Sequence, residues 1–272
     1  MNDINSGDYV HGYSAFESRR LTDQADTLSQ LLHHDSIFSP PGLVLEAGCG
    51  TGAQTVTLAR LNPGCSFISV DISEESLAIA KEAVSKRQFS NVHFQQANIF
   101  DLPFPAEHFD HVFICFVLEH LAEPLEALNA LKKVLKTGGT ITVIEGDHGS
   151  AFFHPYSRYA QEAIDCLIKL QASPGGDSLI GRRLYPLLIS AGLREVNVSP
   201  RFVYADGSLP EMQDGFTRKT FTTMVEGVRE QVLDSKMMSE ADWNKGISDL
   251  YRSSEPDGTF CYTFFKAIAR KI

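Results

Sequence analysis

Between Leu43 and Gly146 the chain alternates five short apolar runs with amphipathic stretches, and no other feature limits the possible folds as tightly. The apolar runs are "LVLEAG", "SFISVDI", "VHFQQA", "HVFICFV" and "GTITVIEG". The intervening stretches include "TGAQTVTLARL", "SEESLAIAKEAVSKR" and "EPLEALNALKKVLK". Strands joined in this way by helices form a parallel α/β sheet. Ser73 is placed to cap the second helix, with Glu74 and Glu75 at the positive end of its dipole. The pair Gly138-Gly139 is a stop signal for the third. Further on, "SLIGRRLYPLLISAGL" reads as a helix closing at Gly192, "REVNVSPRFVYA" as a strand, and "TFCYTFFKAIARK" as the last strand.

Composition narrows the partners. The 272 residues can remove about 75% of their unfolded surface from water, so no staples are needed. With 34 acidic and 24 basic residues the net charge is −10. Polyanion binding needs a basic stripe, and only short clusters such as "LKKVLK" and "GRRL" exist, so nucleic acid is disfavoured as a partner. The five cysteines (Cys49, Cys65, Cys115, Cys166, Cys261) are widely spaced without a CxxC pair, and read as free buried thiols of a reducing compartment. No apolar stretch approaches the roughly 20 residues of a membrane span. "MNDINSGDYVHGY" has no basic-then-apolar signal pattern, so a cytoplasmic location is expected.

The turn in "VLEAGCGTGAQT" (Val44 to Thr55) is the first candidate site. Glycines at a strand-to-helix turn let backbone approach a ligand, and the helix start offers free N–H groups. The spacing itself is ambiguous: Gly48, Gly50 and Gly52 give GxGxG, while Gly48, Gly50 and Ala53 satisfy the GxGxxA of dinucleotide sites. Glu46, two residues before the first glycine, would repel a pyrophosphate and suits an ammonium or sulfonium. Asp71 ends the second strand, 19 positions after Gly52, where a carboxylate can take a ribose diol. In "QANIFDLPF", Asn98 is placed to bond an adenine edge and Ile99 to pack on the ring.

On these motifs the chain resembles the class I S-adenosylmethionine-dependent methyltransferases, particularly the small-molecule branch of ubiquinone and menaquinone biosynthesis. "VLEAGCGTG", "VDIS", "ANIFDLPF", "FDHVFICFVLEHL" and "LKKVLKTGGTITVIE" carry the likeness, which covers roughly residues 37–150 and the elements that finish the sheet. The resemblance implies an α/β, Rossmann-like fold: a seven-stranded, mostly parallel sheet whose antiparallel last strand inserts beside the fifth. It implies S-adenosyl-L-methionine as cofactor. Glu46, Gly48, Cys49, Gly50 and Gly52 would face its methionyl part, Asp71 the ribose, Ile72, Asn98 and Ile99 the adenine, and Phe116, in the fourth strand, is a further cofactor-binding candidate. Many relatives have Asp where this chain has Asn98, and the amide oxygen can still accept from the adenine amine. The resulting division is an N-terminal helical cap (1–36), the cofactor-binding core (37–150), a helical insertion (151–178), a core helix and strand (179–206), a helical lid insertion (207–257) and the final core strand (258–272).

Methyl transfer from a sulfonium is an in-line displacement, so the protein mainly aligns the reactants and excludes water. A base is needed where the acceptor loses a proton. Candidates belong at the carboxyl ends of the fourth and fifth strands or on the cap. Glu119 and His120 in "VLEHL" could touch the acceptor, or only start the next helix. In "EGDHG", Asp147 and His148 offer a carboxylate–imidazole pair as general base, although neighbours on a strand point to opposite faces. Tyr13 in "YVHGYS" would close over the cofactor from the N-terminal segment, which otherwise reads as a tail. Asp147, His148 and His154 lack the spacing of a metal site, and no metal is expected.

Phe152, Phe153, Tyr156 and Tyr159, with Arg158 and Arg183, either line an apolar acceptor pocket or glue the insertion to the core. Two apparent motifs are coincidences. "YTFFK" mimics the YxxxK of short-chain dehydrogenases, but on a strand Tyr262 and Lys266 stand about 13 Å apart. "SPPG" at Ser39 lacks the aromatic, and the position, of the motif in amino-methylating nucleic-acid enzymes. The expected activity is methyl transfer to a small, partly apolar molecule. A noncatalytic module binding the same nucleoside as sensor or scaffold is the alternative, and RNA or protein methylation a third.

Overall fold

The computed structural model describes residues 27–272. Helical residues 27–33 (α1) lead into β1 (Gly42–Ala47), α2 (Ala53–Leu61), β2 (Cys65–Asp71), α3 (Glu74–Lys86), β3 (Val92–Gln96) and β4 (Phe109–Cys115). A 3-10 turn, Leu118–His120, precedes α4 (Pro124–Val134), β5 (Leu135–His154) and α5 (Arg158–Ala172). A second 3-10 turn, Ile180–Arg183, leads to α6 (Leu184–Ser190) and β6 (Arg194–Asp206). Then come α7 (Pro210–Met212), a π-helical stretch (Gln213–Thr222), α8 (Thr223–Glu226), α9 (Arg229–Asp234), α10 (Glu240–Arg252) and β7 (Thr259–Arg270).

The seven strands form one sheet in the order β3-β2-β1-β4-β5-β7-β6. β1 to β5 pair in parallel, and β7 runs antiparallel between β5 and β6, the place expected for the C-terminal strand. Chain order reverses between β1 and β4, and the crevice beyond their carboxyl ends is where open sheets of this kind bind ligands. Alternation along each strand splits the core in two. Val44, Phe67, Phe113 and Ile144 pack with α1, α2, α5 and the helices after β6. Leu45, Val112, Ile114 and Val143 pack with α4 and α6.

Local chemistry explains most boundaries. The Ser73 hydroxyl accepts from the Ser76 N–H at 3.1 Å, the expected cap of α3. The third helix stops at Val134, ahead of the expected Gly138-Gly139, because Leu135 is already extended and pairs with Phe109. The fifth strand correspondingly continues to His154. It is bulged between Asp147 and Phe152, then pairs again with β7 through Phe152↔Cys261. The single helix expected over 178–193 is a 3-10 turn followed by α6. In the π-helical stretch the hydroxyls of Thr220 and Thr222 donate to the carbonyls of Gly215 and Thr217, five residues back, which supports the wider turn.

All five cysteines are free and buried. Among the described residues no helix is long and apolar enough to cross a membrane.

Candidate functional site

The crevice between β1 and β4 is built on backbone conformation. Gly48, Gly50 and Gly52 all have positive φ (75°, 51° and 80°), the left-handed region that glycine enters without strain. A Cβ at Gly48 would run into Val117 behind the turn, and one at Gly52 would lie 2.9 Å from the Ala80 Cβ of α3. At Gly50 a Cβ would meet nothing within 4 Å. Two of the glycines are therefore packed against protein, and the middle one faces open space.

Two acids bracket this turn. Asp71, at the end of β2, accepts from the Gly50 N–H at 2.7 Å through Oδ2 and from the Ser73 N–H at 2.9 Å through Oδ1. Each oxygen keeps a lone pair for a further donor. Ile72 beside it is an exposed apolar side chain, 47% accessible. Glu46 is buried beneath the turn; its Oε2 accepts from Thr55 at 2.7 Å and Ser69 at 2.6 Å, while Oε1 is buried without a partner. Burial pushes its carboxyl up to about 7, against the opposing effect of those two hydroxyls. The Cys49 thiol is pushed up by burial and by the nearby acids.

The expected adenine side differs in one detail. The Asn98 amide oxygen accepts from the Phe100 N–H at 3.0 Å, so it closes its own turn and has one lone pair left for a ligand. Ile99 is half-buried against the second core. Phe116 follows β4 with φ 58°, a strained conformation for an aromatic residue, and its ring packs 5.4 Å from Phe264 of β7.

On the acceptor side, the Asp147–His148 pair expected from the sequence does not form. Asp147 is gripped by Arg182 through two bonds of 2.7 Å. His148 turns the other way, as alternation on a strand requires, and its Nδ1 lies 2.8 Å from the Tyr262 hydroxyl. Both side chains are buried, the imidazole against Phe221 and the Tyr262 ring against Phe216, Phe221 and Phe264. Gly146 makes room for this pair, since a Cβ there would strike the Tyr262 hydroxyl. Tyr262 was missed in the sequence because the antiparallel β5–β7 register joins residues 114 positions apart.

Glu145 was quoted in "EGDHG" without a role. It is fully buried, and its Oε1 accepts from the Val117 and Leu118 N–H groups at 3.1 and 2.8 Å, fixing the start of the 3-10 turn. Burial, with Glu119 nearby, holds its carboxyl well above the usual range. Glu119 and His120 lie on that turn, with the imidazole 3.4 Å from the Glu119 carboxylate. Tyr13 lies outside the described residues. Among the described residues no group of three His, Cys, Asp or Glu side chains could hold a metal. Phe153 stacks between Tyr156 and Phe260, which makes it glue between insertion and core. Tyr262 and Lys266 sit on a strand, as expected, and Lys266 is buried in a separate network.

A family model described as a methyltransferase domain matches residues 41–192. A demethylmenaquinone methyltransferase of Tropheryma whipplei is 36% identical over 131 residues, covering 48% of this chain and 53% of that protein. An uncharacterised methyltransferase of Schizosaccharomyces pombe is 38% identical over 118 residues, 41% of this chain and 42% of the other. The chain thus spans about a third to a half of the length of the curated relatives it matches. Among solved structures, the YcgJ protein of Bacillus subtilis shares the fold, with a TM-score of 0.57 at 16% identity over 90% of this chain and 98% of that one.

Proposed function

The chain belongs to the methyltransferase-domain family, in its class I form with S-adenosylmethionine as cofactor, and from that premise we propose that it moves a methyl group to a small-molecule acceptor. The observation that carries the reading is the glycine turn, with open space at Gly50, Asp71 on one side and a buried, half-satisfied Glu46 beneath. These residues fit the cofactor. Asp71 would take the ribose diol, the exposed face of Ile72 with Ile99 the adenine ring, and the remaining Asn98 lone pair its amine. Glu46 lies under the methionyl part, where a cation would relieve the cost of its buried charge. Cys49 and Phe116 line the same pocket in this reading.

When bound, the cofactor supplies an activated methyl on a sulfonium. The chain aligns the acceptor and keeps water out. Phe116, at the carboxyl end of β4, links the cofactor side to the aromatic enclosure of Tyr262, Phe264, Phe216 and Phe221. An acceptor with a flat apolar body suits a site beside this aromatic cluster, and the demethylmenaquinone methyltransferases among the relatives support this acceptor class. His148 takes the acceptor proton, and Tyr262 holds the imidazole by its Nδ1. Asp147 enters only by anchoring the strand through Arg182. His120 remains on the acceptor side of the proposal, and Tyr13 of the N-terminal segment remains the residue that closes over the cofactor. A cytoplasmic location, and no nucleic-acid or membrane partner, belong to the same reading.

The test is incubation with methyl-labelled S-adenosylmethionine, a small-metabolite extract and, separately, a reduced short-chain demethylmenaquinone. Label is expected in a small apolar product. Tight cofactor binding without labelled product in either arm would favour the sensor or scaffold alternative.

A further inference from the structure

Lys266 lies on β7, is 1% exposed, and spends its three ammonium protons on the Leu32 carbonyl at 3.2 Å, Asp35 Oδ1 at 2.7 Å and Ser36 Oγ at 2.7 Å. An ammonium only donates, so Ser36 accepts from it and keeps its own proton to give. The next atom is His33 Nδ1, 3.2 Å from Ser36 Oγ. With Nδ1 accepting, the neutral ring carries its proton on Nε2, which lies 2.6 Å from the Gln54 amide oxygen. Burial holds His33 down at about 4, so the ring stays neutral and the direction of the relay is preserved near neutral pH. Four side chains therefore run as one directed chain, from β7 across the end of α1 to the first turn of α2.

The chain ends on an amide with only one orientation left. Its oxygen is committed to His33, so its NH2 is turned away from the imidazole. Gln54 is the second residue of α2, two positions after Gly52, and no hydrogen bond to a described residue occupies that NH2. The next residue of α2, Thr55, has its proton on Glu46. Among the described residues, Gln54 thus offers a side-chain donor without a partner at the positive end of the helix that leaves the glycine turn. Glu46 supplies the opposite character beneath the turn, with its unpartnered buried Oε1. A ligand end bearing both a carboxylate and an ammonium matches this pair.

We propose that Gln54 is a positioning and specificity residue: its NH2, oriented by the Lys266–Ser36–His33 relay, donates to the carboxylate at the amino-acid end of S-adenosylmethionine. This rests on the cofactor reading of the glycine turn. The site then recognises the zwitterionic end of the cofactor separately from the nucleoside end, which is held at Asp71.

Calorimetry with two ligands tests it, S-adenosylhomocysteine and 5′-methylthioadenosine, which lacks the aminocarboxylate. Gln54→Leu should weaken S-adenosylhomocysteine about tenfold, the worth of one hydrogen bond to a charged group, and leave methylthioadenosine within about twofold. Gln54→Glu should weaken the first ligand further, because a carboxylate of the same reach replaces the donor. His33→Phe, which keeps a ring against Phe113, should give the same split between ligands as Gln54→Leu, and nitrogen-detected NMR of His33 should show the Nε2–H tautomer. An unchanged affinity for S-adenosylhomocysteine in Gln54→Leu, or equal weakening of both ligands, would overturn the proposal. If the unaltered protein binds methylthioadenosine but not S-adenosylhomocysteine, the proposal fails while the nucleoside site stands. If it binds neither, the cofactor reading itself fails.

Discussion

Glu46 is buried with one oxygen satisfied by two hydroxyls and the other without a partner among the described residues, so its negative charge is costly. Its carboxyl is raised to about 7 from an ordinary 4.5, so the folded protein binds a proton that the unfolded chain has released between those values. Stability should therefore fall as pH rises through that window, by an amount on the order of 3 kcal/mol for this group. Urea unfolding of the protein and Glu46→Gln at pH 5 and 7.5 checks this. The difference between the two pH values should shrink in the variant, and an unchanged difference would place the effect elsewhere. Gly48 offers a second test. Alanine there must adopt a positive φ and displace Val117, a loss of about 2 to 3 kcal/mol readable in the denaturation midpoint.

Both residues were legible in the sequence because one short motif contains them, and local spacing determines their geometry. His148 drew notice by its place after a strand, but its hydrogen-bond partner left no local signal. Adjacent Asp147 faces Arg182, and the true partner, Tyr262, comes from β7.

At the scale of elements, the order and type of the central strands followed from apolar periodicity alone, since burial on both faces leaves continuous runs of Val, Ile and Phe. Boundaries were less legible. Helix α4 ends where Leu135 begins to pair with β4, a tertiary contact that overrides the Gly-Gly signal. The link between α1 and the far side of the sheet was invisible, because it depends on one buried lysine inside an apolar strand. Asp35 joins two strands there, accepting from Lys266 of β7 and from Arg201 of β6. Partial burial works against its charge, yet those two cations hold it at about 2. Lys266→Met keeps the apolar stem and removes the donor. It should cost about 2 kcal/mol of stability, less than a fully buried pair would, because Asp35 is 40% exposed and keeps Arg201. A gain in stability in chemical denaturation would mean that the ammonium is a burden and does not anchor α1.

Across the whole molecule, charge and enclosure point the same way. A chain of net charge −10 has little to offer a polyanion, and RNA affinity should be weak, with no steep salt dependence in a filter-binding assay. The two faces of the sheet are used differently. One packs with α4 and α6, while the other packs with α1, α2, α5 and the helices after β6, of which the π-helical stretch sets Phe216 and Phe221 against the Tyr262–His148 pair. Sequence reasoning identified these additions as helical, but could not say which strand ends they enclose, because packing between distant elements leaves no periodic trace. The acceptor side is accordingly where Tyr262→Phe has its effect. It should lower turnover roughly tenfold or more by removing the hydrogen bond at His148 Nδ1, while leaving cofactor affinity unchanged in the same preparation.

The most direct measurement is a crystal structure with S-adenosylhomocysteine bound. The ribose diol is expected on Asp71, the adenine against Ile72 and Ile99, and the sulfur beside Gly48 to Gly52, pointing toward Phe116 and the aromatic cluster beyond it. A nucleoside bound elsewhere, or a sulfur directed into bulk solvent with no enclosed space beside it, would contradict this reading.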